Sequence, residues 1–125
     1  MKDKRTALDT LYFVNESNKK VSLEIITGGL GQTSTFDAKI EGILDIKKAN
    51  GSIPQTIISD NKTLIGKILI ISCTITDTSR DTNYTELRIR LNGGIMFIEY
   101  PLFANVENEG DTVDYRCVIR FFNPK

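Results

Sequence analysis

Histidine and tryptophan are both missing from the sequence. Histidine is the side chain that exchanges protons near neutral pH and the commonest transition-metal ligand. Without it, Ser-His-Asp and Cys-His catalysis are impossible, as is haem held by histidine. Cysteine occurs only at Cys73 and Cys117. Two thiols fall short of a cysteine-built zinc site and do not make the dense framework of a small disulfide-stapled domain. Each has apolar neighbours two residues away, Ile71 and Ile75 for Cys73, Tyr115 and Ile119 for Cys117. Both are therefore read as free, buried thiols packing as small hydrophobes, with a structural disulfide between them as the alternative. No cofactor is expected.

Long apolar runs are also absent. The stretch Ile68–Ile71 is far below the roughly 20 residues that span a bilayer, and no membrane partner is expected. The charged start, Met1-Lys2-Asp3-Lys4-Arg5, leads into no apolar run of signal-peptide length, so the expected location is cytoplasmic. Nor is there an excess of one sign of charge. Sixteen basic and sixteen acidic residues cancel, which removes the electrostatic footprint of a nucleic-acid binder.

What remains is 125 residues, 40% apolar and 26% charged. That describes one globular domain over 1–125, large enough to bury roughly 65% of its unfolded surface. The dominant period is two, the mark of half-buried strands. Val21, Leu23 and Ile25 alternate with Ser22 and Glu24, and Leu87, Ile89 and Leu91 alternate with Glu86, Arg88 and Arg90. Tyr115, Cys117, Ile119 and Phe121 share a face near the C-terminus. Phe36–Lys47 reads as one long strand with Gly42 at a bulge or bend. Leu64–Thr76, apolar on both faces at its start, reads as a central strand covered on both sides and becoming one-sided near Cys73. A first strand is placed at about 10–15, and a short edge strand at Thr56–Ser59 after Pro54. Asn92-Gly93 predicts a tight hairpin joining Thr85–Leu91 to Ile95–Phe103, because a two-residue turn needs φ > 0 at its centre. The sum is an all-β fold, a single-domain antiparallel β-sandwich or small barrel of about seven to eight strands. Phe36, Ile40, Leu44, Leu69, Ile71, Ile75, Leu87, Ile89, Leu91, Phe97, Ile119 and Phe121 are its expected core.

Several patterns invite chemistry. Gly28-Gly29-Leu30-Gly31 has the glycines of a phosphate loop, but a strand follows where a helix N-terminus is required; it reads as a turn. The acidic 107–114 loop, with Glu107, Glu109, Asp111 and Asp114, offers oxygens to a hard cation without the spacing of a calcium loop. No metal is assigned to it. The polar stretch Asp77–Asn83 forms a second rim, suited to a partner. The Asn-x-Ser/Thr triplets at Asn15, Asn50, Asn61 and Asn83 are taken as chance.

Five of the six arginines follow position 79. Arg88 and Arg90 share a face, as do Arg116 and Arg120. If these strands are neighbours, four guanidiniums converge on one surface that suits a carboxylate-bearing partner; otherwise they are solvated arginines paired with Glu86, Glu99 or Asp114. On the last strand, Val118 and Phe122 lie between the arginines. Apolar and arginine side chains together on an outward face mark an interface. The expected function is a non-enzymatic binding or structural module acting through a protein partner or self-association. Its candidate contact residues are Arg88, Arg90, Arg116, Val118, Arg120 and Phe122. One alternative is a barrel enclosing an apolar small molecule, with Tyr12, Tyr84, Tyr100 and Tyr115 as polar tips. A remoter one is a carboxylate-dependent hydrolase drawing on Asp77, Asp81, Glu86, Glu99 or Glu107.

Overall fold

A strand with one apolar face must bury it against another layer. The computed structural model, which describes residues 3–28, 32–49, 52–77, 84–105 and 110–125, shows two sheets doing so. Among the described residues nine strands and one helical turn follow in order: β1 (Asp3–Phe13), β2 (Lys20–Gly28), β3 (Gln32–Ile40), β4 (Leu44–Ala49), β5 (Ile53–Asp60), α1 (Asn61–Leu64), β6 (Ile68–Asp77), β7 (Tyr84–Asn92), β8 (Ile98–Asn105) and β9 (Thr112–Phe122). A five-stranded sheet has the order β1-β9-β6-β3-β4, and a four-stranded sheet the order β5-β2-β7-β8. Every pairing is antiparallel except that of β1 with β9. The all-β sandwich is thus present, and no described helix is long and apolar enough to cross a membrane.

The alternating faces fix which side each strand buries. Val21, Leu23 and Ile25 of β2 and Leu87, Ile89 and Leu91 of β7 meet Leu69, Ile71 and Ile75 of β6 and Tyr115, Ile119 and Phe121 of β9 in the core. Burying one such side chain is worth about 1.5–3 kcal/mol. A one-residue slip of β7 would exchange its three aliphatics for Glu86, Arg88 and Arg90, so the register is strongly specified. The Tyr12 and Phe121 rings meet edge to face, with centroids 6.1 Å apart. Across the core, the Tyr115 hydroxyl lies 2.6 Å from Thr85 Oγ1, which itself donates to the Ala104 carbonyl at 2.8 Å. That chain ties β9 of one sheet to β7 and β8 of the other. Cys73 and Cys117 are free and buried among these residues, and burial pushes both thiols up to about 12.

Five expectations need correction. Phe36–Lys47 is a hairpin: the chain reverses after Ile40, Gly42 sits at φ +78°, and the Ile43 N–H donates to the Ile40 carbonyl at 2.9 Å. Ile40 and Leu44 then pair directly, which raises the strand number to nine. The first strand is far longer than 10–15, because β9 pairs with it along its whole length. Residues 61–64 form α1, whose first turn is capped by the Asp60 carboxylate accepting from Thr63 N–H at 2.8 Å. β6 therefore begins only at Ile68. It is central in its sheet, yet its outer face is uncovered, with Ile68 41% and Ile70 36% exposed. Finally, β7 and β8 pair as expected, but their last pair is Leu91 with Ile98, so the stretch beyond it covers 92–97, starting at the Asn92 that ends β7, rather than two residues. Phe97 is consequently 54% exposed, and Leu44 is half-buried; the other ten expected core residues are buried.

Candidate functional site

The arginines do not converge. β7 lies in the four-stranded sheet and β9 in the five-stranded one, so Arg88 and Arg90 project from one outer face and Arg116 and Arg120 from the opposite one. β9 is moreover an interior strand, flanked by β1 and β6. The sheet edges are β1, β4, β5 and β8, and Pro54 and Pro101 stand on two of them, where a missing N–H breaks no ladder.

On the four-stranded sheet the charges satisfy one another. Arg88 Nε meets Glu86 Oε2 at 2.6 Å and its Nη1 meets Glu99 Oε2 at 3.3 Å. Arg90 reaches Glu99 Oε1 at 2.8 Å and Glu24 Oε1 at 3.3 Å. Arg88 holds the Glu86 carboxyl below the usual carboxylate range, and Arg90 does the same for Glu99. Arg88 also lies 5.8 Å above the Phe103 ring, which stacks on Tyr84. A glycoside-cleaving pair needs one carboxyl that stays protonated; both of these are driven the other way. Asp81 and Glu107, like the Gly29–Gly31 loop, lie outside the described residues. So does most of the Asp77–Asn83 rim, and the Asp77 side chain with it. Among the described residues no group of three or more Cys, Asp or Glu could hold a metal.

The tyrosines do not line a ligand cavity as free polar tips. Tyr12 donates to the Met96 carbonyl at 2.7 Å and accepts from Gly94 N–H at 3.0 Å. Tyr100 donates to the Leu11 carbonyl at 3.2 Å, and Tyr84 is exposed and donates to Glu86. Burial pushes the Tyr100 hydroxyl up to about 12.

These bonds explain the long 92–97 connection. It folds onto the end of β1, where the Ile95 N–H donates to the Phe13 carbonyl at 3.0 Å. Fully buried Asn61 clasps it from below. The Asn61 amide donates to the Gly93 carbonyl at 2.9 Å and the Lys19 carbonyl at 2.8 Å, while its oxygen accepts from Asn15 N–H at 3.2 Å. The only sequence signal at Asn61 was a glycosylation triplet, and the buried amide makes that reading untenable for the folded chain.

The outer face of the five-stranded sheet is different in kind. At the end nearest the 92–97 connection it exposes Leu11, Phe13, Ile68, Ile70 and Phe122, each between 36% and 49%. The register makes them neighbours. Phe13 pairs with Phe122, their rings 6.2 Å apart; Leu11 and Ile68 flank Arg120, and Ile70 flanks half-buried Val118. Exposed Ile95 is tied to the Phe13 backbone, and exposed Met96 follows it, its carbonyl held by the inward-facing Tyr12 hydroxyl. Arg120 pairs with Asp9 inside the patch. A hollow of about 520 Å³ opens beside it, walled by Ile68 and Ile70 and rimmed by Lys39, Lys67 and Glu41. The candidates Val118, Arg120 and Phe122 therefore stand in one apolar surface, to which Leu11, Phe13, Ile68 and Ile70 add. Arg116 lies further along the same face, and Arg88 and Arg90 are not part of it.

The molecule is thus an all-β two-sheet sandwich: the outer face of the five-stranded sheet gathers the apolar cluster, while on the other outer face exposed Ile57, Tyr84 and Phe103 stand around the arginine–glutamate network. No family model, curated protein or solved structure matches the chain.

Proposed function

We propose that this chain is a non-enzymatic structural or recognition module that works by self-association through the apolar end of its five-stranded sheet. The observation that carries the reading is the gathering of Leu11, Phe13, Ile68, Ile70 and Phe122, remote in sequence, into one exposed cluster. Contiguous exposed apolar surface rimmed by polar groups is the usual mark of an interaction site, and aromatic, Met and Arg side chains are the types enriched there.

A second copy is the occupant that fits the charges. The patch and its rim carry both signs, with Arg120, Lys39 and Lys67 against Asp9 and Glu41. A two-fold related copy can thus set cation against anion, as an isologous interface requires. The chain's zero net charge removes long-range repulsion between copies. Sedimentation equilibrium at micromolar to millimolar concentration tests the reading. The wild type should approach twice the 14.0 kDa chain mass, and a Phe13→Ser, Phe122→Ser variant should stay monomeric with an unchanged circular dichroism spectrum. A wild type that is monomeric throughout, or a variant that associates as tightly, overturns it.

A further inference from the structure

The other end of the same face carries a separate feature. Arg116 is flanked across the strands by Ala7 and Ser72, and Arg5 by Asp114 and then Thr74. The small side chains of Ala7 and Ser72 leave a depression of about 460 Å³ between the larger ones. Six residues of strand, about 20 Å, separate Arg116 from Phe122.

The two arginines stand apart from the others described. Arg88, Arg90 and Arg120 each meet a carboxylate, whereas no described carboxylate pairs with Arg5 or Arg116. Asp114, opposite Arg5 in register, instead accepts the Thr74 hydroxyl on Oδ1 at 2.8 Å. Arg5 and Arg116 thus stand on neighbouring strands, two positions apart on one face, with a backbone diagonal of about 8 Å between them. Among the described residues Asp114 lies beside them, and exposed Asp37 stands one strand beyond Ser72 in the row of Arg116. Guanidinium carries only donors, in a planar fork that matches a carboxylate.

We propose that this depression binds an organic carboxylate, gripped between Arg5 and Arg116 with the Ser72 hydroxyl as a further donor. A carboxylate brings a single negative charge, whereas a phosphate dianion would be repelled more strongly by Asp114 and Asp37. The volume lies in the range of ligand pockets, roughly 300–1,000 Å³, which leaves room for an organic group beyond the carboxylate itself. That carboxylate comes either from a free acid or from an acidic side chain of a peptide. The site does not depend on the apolar end associating.

The test is titration of the ¹⁵N-labelled protein, followed by backbone and arginine Nε–H resonances. One arm uses butyrate, the other a blocked pentapeptide containing a single glutamate, with its glutamine counterpart as control. At least one arm should give saturable shifts confined to residues around Ala7, Ser72 and Arg116, and the arm that does so identifies the source. An Arg5→Gln, Arg116→Gln variant should weaken that binding at least tenfold. Ser72→Leu, which fills the depression and keeps both arginines, should abolish it, so loss does not depend on charge removal alone. No shift in either arm at millimolar concentration overturns the proposal. So do shifts centred elsewhere, equal response to the glutamine peptide, or unchanged binding in either variant.

Discussion

Replacing Asn61 by alanine should cost far more than its position beside a four-residue helix suggests. The side chain is fully buried and makes three hydrogen bonds, to Lys19, Gly93 and Asn15. The Lys19 carbonyl would keep a partner, since the Asn61 backbone N–H also donates to it at 3.0 Å. The Gly93 carbonyl and the Asn15 N–H would lose theirs. An orphaned buried group costs about 1–3 kcal/mol; these two are partly buried, so about 1 kcal/mol each applies, with about 1 kcal/mol more for the void. The sum is about 3 kcal/mol, or a fall in melting temperature of about 12 °C at roughly 4 °C per kcal/mol for a domain this size. Asn61→Asp should be at least as damaging, because it turns a carboxylate toward two carbonyl oxygens in a buried site. Urea unfolding of both variants at pH 7 measures the effect. A loss under about 0.5 kcal/mol, or an aspartate variant as stable as wild type, would refute the clasp.

The other expectations are narrower. Gly94→Ala should destabilise severely, since its Cβ would lie 2.6 Å from both the Phe13 carbonyl oxygen and the Tyr12 ring; thermal melting would show it, and a variant within about 1 kcal/mol of wild type would contradict the packing. Cys73 and Cys117, buried and pushed up to about 12, should resist Ellman's reagent in the native protein at pH 8 and both react in guanidinium chloride. Arg88 and Arg90 depress the Glu86 and Glu99 carboxyls, so the stability these contribute is present above the ordinary value of 4.5 and is lost as pH falls through the lower folded values. A Glu86→Gln, Glu99→Gln variant should therefore lose less stability than wild type between pH 5 and pH 2, read from urea midpoints; equal loss would show the pairs idle.

Much of the fold was legible because faces are written locally. Leu87, Ile89 and Leu91, or Tyr115, Cys117 and Ile119, alternate so strictly that one register alone keeps their charged neighbours in water. The same periodicity concealed the reversal at Gly42. Three residues separate Ile40 from Leu44, so both fall on the inward parity and alternation runs unbroken through the hairpin. Long-range partners were invisible. The pairing of β1 with β9 joins the two ends of the described chain, and the 92–97 connection is shaped by Tyr12, Phe13 and Asn61, none near it in sequence. Asn92-Gly93 has the composition of a two-residue turn, yet those contacts draw the loop out toward β1.

The candidate surface was half legible. Val118 and Phe122 beside arginines on the last strand were visible as an outward face. Leu11, Phe13, Ile68 and Ile70 join them only through which strands lie side by side. Arg88 and Arg90 were grouped with Arg116 and Arg120 on the premise of neighbouring strands, and the assignment of β7 and β9 to different sheets separates them.

The central claim, association through the apolar end of the five-stranded sheet, is tested most directly by a dilution series of ¹H–¹⁵N spectra. On dilution, concentration-dependent shifts should fall on Leu11, Phe13, Ile68, Ile70, Ile95, Met96 and Phe122, and leave Glu24, Arg88 and Arg90 of the opposite face unmoved. Spectra that do not change with concentration, or shifts centred on the Arg88–Glu99 network, would contradict the account.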